Sequence, residues 1–212
     1  MATFFFVYFP ILRVEVDSMK NREVVFILDR SGSMHGLEYD TVAGFNSMLE
    51  KQKGNVLVST VLFNDRTFLL HDRIPIQKVQ CLSVRDFEVG GCTALLDALG
   101  STIERMDGKN VLFVIITDGL ENASERYSYR KVKSLIESRK EKYGWEFLFL
   151  GANMDAMEEA GKFGIDAENA VDYCCDSKGT QLNFEAVSKV LCAGSVPKGW
   201  KKDIEADYKK RR

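Results

Sequence analysis

Val24-Val25-Phe26-Ile27-Leu28-Asp29-Arg30-Ser31-Gly32-Ser33 is the stretch that decides the reading of this chain. An unbroken apolar run from Val24 to Leu28 ends in a carboxylate. Such a run, without alternation, is the pattern of a central strand covered on both faces. After it come three side-chain oxygens at alternate positions, Asp29, Ser31 and Ser33. In an extended or turning segment alternate side chains point the same way, so these oxygens can aim at one point. Gly32 relaxes the turn they need.

Working outward, Val111 to Thr117 repeats the pattern and again ends in a carboxylate, Asp118. Between these strands, residues 36–52 place Val42, Phe45 and Leu49 at helical spacing with Met48 beside them. Val56 to Phe63 reads as a second strand, Asn64-Asp65-Arg66 as a tight turn, and Thr67 to Leu70 as a short hairpin partner. Gly90-Gly91 breaks the chain before Thr93, and Leu95, Leu96, Leu99 and Ile103 mark the next helix. Beyond Asp118 a polar loop leads to a helix carrying Val132, Leu135 and Ile136. Trp145 to Leu150 forms another buried strand. Asp155 and Glu158 suit a capping box for a helix through Ala160. A short strand near Ala170 to Tyr173 and a helix from Gln181 to Leu191, stopped by Gly194, complete the series. Strands alternating with helices predict an α/β fold, doubly wound: a mostly parallel six-stranded sheet with one short antiparallel edge strand and helices on both faces. In such folds ligands bind at the carboxyl ends of strands where the strand order reverses, which points to Asp29 and Asp118.

The 212 residues fit one domain, read as 19–194, with an N-terminal extension at 1–18 and a basic C-terminal tail at 195–212. A net charge of −2 argues against nucleic-acid binding. Lys198 to Arg212 carries seven Lys/Arg against three Asp/Glu and reads as a solvated end. The apolar run Phe4 to Leu12 is too short to span a bilayer as a helix. It also lacks the basic start and small-residue cleavage site of a signal peptide. Residues 1–18 read either as an added edge strand or as upstream sequence from too early a start codon. Five cysteines (Cys81, Cys92, Cys174, Cys175, Cys192), with no CxxC spacing, read as reduced thiols of a cytoplasmic protein.

Oxygen-only ligation suits a hard cation, Mg²⁺ or Mn²⁺, rather than zinc. Mg²⁺ takes roughly six oxygens, so one loop cannot complete the shell. Thr93 and Asp118 are the natural additions. Asp29-x-Ser31-x-Ser33, Thr93 within GGCTALLDAL and Asp118 within VIITDG resemble the metal-ion-dependent adhesion site of von Willebrand factor A domains, over roughly Arg22 to Tyr173. DRSGSM followed by ITDG looks most like the intracellular bacterial members. The resemblance implies direct ligation by Ser31 and Ser33. Thr93 would bind directly or through water, Asp29 and Asp118 often through water, and the last position would go to an acidic side chain of a protein partner.

The same residues have plainer uses, Asp29 and Asp118 as helix caps and the hydroxyls as turn caps, but that account leaves their convergence on one crevice unexplained. His35 reads as a first-turn helix residue, Glu121 and Asn122 as a solvated loop, and Asn153 as a neighbour of the same edge. Arg30 stands where the resembled family often has a small or hydroxylic residue, and would bias the rim toward acidic partners. Catalysis finds little equipment. Ser31 stands where a haloacid-dehalogenase phosphatase needs its second acid, and neither GxxxxGK[ST] nor GxSxG occurs. The function expected is therefore a non-catalytic protein-binding module. The alternatives are a scaffold with a structural metal and a metal-dependent phosphoryl-transfer hydrolase.

Overall fold

A computed structural model describes residues 22–212, so the reading of residues 1–18 lies outside the described residues. Strand β1 (Arg22–Asp29) is buried at every position. Its side chains divide strictly by alternation. Val24, Phe26 and Leu28 join one core cluster, whereas Val25 and Ile27 join the other. This is what an uninterrupted apolar strand requires, because both of its faces need cover.

Strands β2 (Val56–Phe63) and β4 (Val111–Thr117) lie on either side of β1, both parallel to it. Strand β3 (Thr67–Pro75) runs antiparallel to β2, while β5 (Glu146–Ala152) and β6 (Ala170–Tyr173) extend the other wing in parallel. The six-stranded order is β3-β2-β1-β4-β5-β6. The chain therefore builds outward from β1 to one edge, returns, and builds outward from β4. Its winding reverses between β1 and β4, and the crevice at their carboxyl ends is the switch point where ligands bind in such sheets. Leu28 pairs with Ile116 there, which sets Asp29 and Asp118 at the ends of adjoining strands.

Helices α1 (Glu38–Glu50), α5 (Ser177–Ala193) and α6 (Lys202–Arg211) cover one face, through Phe45, Phe184, Val187 and Ile204 among others. Helices α2 (Leu95–Arg105), α3 (Tyr129–Tyr143) and α4 (Ala156–Lys162) cover the other, through Leu99, Ile103, Val132, Ile136 and Ala160. Among the described residues no helix is long and apolar enough to cross a membrane.

Three elements differ from the sequence reading. β3 continues past Leu70 to Pro75, because the β2–β3 ladder slips twice around Thr60. The slip turns the buried His71 inward, where its Nδ1 lies 3.0 Å from Thr60 Oγ1. That bulge breaks the alternation by which a strand is recognised. Helix α5 begins four residues before Gln181, at Ser177, because Asp176 caps it by accepting the Gly179 N–H at 2.8 Å. The tail is not a solvated end. Trp200 and Ile204 are buried, and the Trp200 indole N–H donates to the Glu168 carbonyl at 3.1 Å. Two apolar anchors among many charges were enough to dock α6, and charge counting could not register them.

Candidate metal centre

The turn after β1 is built by its neighbours. The Arg30 N–H donates to the Phe63 carbonyl at 2.8 Å, and the Gly32 N–H to the Gly91 carbonyl at 3.0 Å. The Gly90-Gly91 break is clamped by Asp65, whose Oδ1 accepts the Cys92 N–H at 2.7 Å. Gly91 has φ +78, and a Cβ there would stand 2.1 Å from the Asp65 carboxylate. Only glycine fits, and it seats Thr93 beside the β1 turn. Thr93 is fixed from the other side as well. Its N–H donates to the Asn122 side-chain oxygen at 2.9 Å, and its carbonyl accepts the Asn122 N–H at 3.0 Å.

The donors meet at one place. Around the point where a Cβ on Gly119 would lie, Thr93 Oγ1 is at 2.8 Å, Ser33 Oγ at 3.2 Å and Ser31 Oγ at 3.7 Å. Ser31 Oγ and Ser33 Oγ are 3.1 Å apart, and the Ser33 hydroxyl donates to Asp118 Oδ1 at 2.5 Å. Gly119 thus leaves open a small pocket lined by hydroxyls. Any side chain there would fill it.

Asp29 stands behind this group. Its Oδ1 accepts the Ser31 N–H at 2.7 Å and its Oδ2 accepts the Thr117 hydroxyl at 2.5 Å. Burial pushes the Asp29 carboxyl up to about 6, while the hydrogen bonds from Thr117 and Ser31 pull it back down. Its part in the geometry is to lock the β1 turn, with both oxygens already engaged. The structure therefore brings Ser31, Ser33, Thr93 and Asp118 together directly and sets Asp29 one layer deeper.

The chemistry of the donors fits a hard divalent cation: hydroxyl oxygens with nearby carboxylates, and no imidazole. Among the described residues no cluster of three or more His, Cys, Asp or Glu side chains could hold a metal by itself. Beside Ser33 opens a cavity of ≈ 460 Å³, lined also by His35, Asn153 and Cys175.

Several residues act here in ways the sequence did not suggest. Glu121 is half-buried and not merely part of a solvated loop: its carboxylate accepts the N–H groups of Leu96, Ala123 and Ser124, tying the loop after β4 to the start of α2. Asn122 holds Thr93. Thr117, a hydroxyl in an otherwise apolar strand, holds Asp29, and that odd residue was the available signal. Cys175 donates to Asp118 Oδ2 at 3.4 Å, and nothing in a Cys-Cys pair at a strand end announces it. His35 is turned to Glu38 at 3.1 Å with its side chain 88% exposed.

A six-stranded sheet wound about β1 and β4, covered on both faces and carrying these hydroxyls at its switch point, defines the von Willebrand factor A fold. Comparison with solved structures agrees. Proximal thread matrix protein 1 from the mussel byssus is 18% identical over 81% of this chain and 46% of its own, with a TM-score of 0.60. A von Willebrand factor type A protein from Catenulispora acidiphila is 16% identical over 80% of this chain and 42% of its own, with a TM-score of 0.58. The ArnB paralog VWA2 from Sulfolobus acidocaldarius is 17% identical over 79% of this chain and 45% of its own, with a TM-score of 0.57. This chain spans less than half the length of each. Another structure of the mussel protein, 19% identical over 81% of this chain and 46% of its own, with a TM-score of 0.58, has its metal-ion-dependent adhesion motif occupied by zinc. No family model matches the chain, and no curated protein sequence matches it.

Proposed function

We propose that this chain is a protein-recognition module without catalysis of its own, which grips an acidic group of a partner through Mg²⁺ or Mn²⁺ held by Asp29, Ser31, Ser33, Thr93 and Asp118. The observation that carries the reading is the convergence of the Thr93, Ser33 and Ser31 hydroxyl oxygens within 3.7 Å of one point beside Gly119. In this reading the hydroxyls are the neutral donors and Asp118 the nearby charge, with Asp29 holding the turn from behind. The cation supplies a strong, directional attraction for a carboxylate. Neutral hydroxyls favour that role, because they leave the ion more electrophilic than a shell of carboxylates would. Of the chain's two histidines, His71 is buried against Thr60, and His35, at the cavity edge, turns its ring to Glu38. Five free cysteines favour a reducing compartment, the cytoplasm.

Calorimetry with Mn²⁺ and Mg²⁺ on the purified chain, paired with capture of partners with and without EDTA, tests the proposal. The expected result is metal uptake that Asp118→Ala abolishes, together with EDTA-sensitive capture. Capture indifferent to EDTA would move the reading to a scaffold with a structural metal, and turnover of phosphate esters would move it to a hydrolase.

A further inference from the structure

Asp118 presents two oxygens to the crevice, and each is engaged from a different part of the chain. Oδ1 takes the Ser33 hydroxyl at 2.5 Å. Oδ2 takes the Cys175 thiol at 3.4 Å, across 57 positions of sequence. The first bond is made by a residue of the donor group itself, whose hydroxyl would offer an oxygen lone pair to a cation while its O–H still donates to Asp118. The second comes from outside the group and can persist.

The thiol is placed by backbone, not by chance packing. β6 ends in the buried Tyr173. The next turn closes with the Asp176 N–H on the Cys174 carbonyl at 2.8 Å, and Asp176 then caps α5 through the Gly179 N–H at 2.8 Å. A Cβ on Gly179 would come within 1.9 Å of the Cys174 carbonyl oxygen, so the first turn of α5 presses directly on the turn that carries Cys175. Asp176 is further held by Arg211 of α6. Cys175 therefore lines the cavity beside Ser33 from a hydrogen-bonded turn.

We infer that Cys175 is a positioning residue of the metal centre: its S–H holds Oδ2 of Asp118, and so sets the orientation in which that carboxylate faces the cation. The inference rests on the metal reading above. Partners that orient a ligating carboxylate change metal affinity by roughly 10–100-fold when removed. A thiol is a weak donor, so the lower end of that range applies.

The test is Mn²⁺ calorimetry on the full chain and on two variants, with thermal melting of each in the metal-free form. Cys175→Ala should weaken Mn²⁺ about tenfold while metal-free melting stays at the wild-type value, and Cys175→Ser, which keeps an O–H donor, should restore most of the affinity. Wild-type affinity in Cys175→Ala would overturn the inference and leave the metal reading standing. Equal losses in both variants, with metal-free melting lowered in both, would assign Cys175 to packing and also overturn it. No Mn²⁺ uptake by the wild type would overturn the metal reading itself, and this inference with it.

Discussion

The two ends of the central strands bury acids in opposite ways. At the amino end, Glu23 is paired with Arg73 at 2.6 Å, and Arg22 is paired with Glu146 at 2.7 Å. Each of these two carboxylates has a guanidinium, Arg73 being shared with the exposed Asp107. At the carboxyl end, Asp29 and Asp118 are 1% and 4% exposed, yet their hydrogen-bond donors among the described residues are Ser31, Thr117, Ser33 and Cys175, none of them cationic. Burying a charge without a counter-charge is expensive. The buried acids at the base are ion-paired, whereas those at the top have no cationic hydrogen-bond partner among the described residues. A cation from outside would therefore gain more at the top than at the base.

The sharpest way to break this contrast is Asp118→Ala. Mn²⁺ affinity should fall by at least about 100-fold in calorimetry, since a charged ligand is lost outright. Saturating cation should also stabilise the wild type, by about 2.7 kcal/mol at a hundred times Kd, seen as a rise in Tm that EDTA reverses and Asp118→Ala lacks. Arg22→Ala should do the reverse. It strands Glu146 at the base and costs about 2 kcal/mol in urea unfolding, with Mn²⁺ affinity unchanged. Thr117→Val removes one of the hydrogen bonds on Asp29; about 1 kcal/mol of stability should go, and Mn²⁺ uptake should weaken as the β1 turn loosens. The smallest expected effect is at the rim. Arg30 lies with its guanidinium 6.0 Å from the Phe68 ring centre, facing the β3 edge. Arg30→Glu should leave Mn²⁺ calorimetry unaltered and weaken EDTA-sensitive partner capture. Unchanged capture would remove Arg30 from the recognition surface.

The legible parts of this molecule were those where one physical requirement dominates a stretch of chain. A strand buried on both faces must be apolar throughout, so β1 and β4 stand out, and their terminal carboxylates with them. The hydroxyl spacing after β1 carried the donor group for the same reason. What stayed hidden depends on contacts between distant segments. The bulge that lengthens β3 is set by pairing with β2. The docking of α6 rests on Trp200 and Ile204 amid charges. The supports of the donors, Asn122 on Thr93, Thr117 on Asp29 and Cys175 on Asp118, are single residues brought in from three different loops or strand ends, and no local pattern encodes them. Glu121 went unread because a carboxylate that caps backbone N–H groups looks, in sequence, like one in water.

Crystals grown or soaked with MnCl₂ offer the most direct test, because Mn²⁺ scatters anomalously and can be located without assumption. The account predicts one anomalous peak in the pocket beside Gly119, with the hydroxyls of Ser31, Ser33 and Thr93 and the carboxylate of Asp118 around it. A pocket without Mn²⁺ at saturating concentration, or a peak only at the sheet's opposite end, would contradict it.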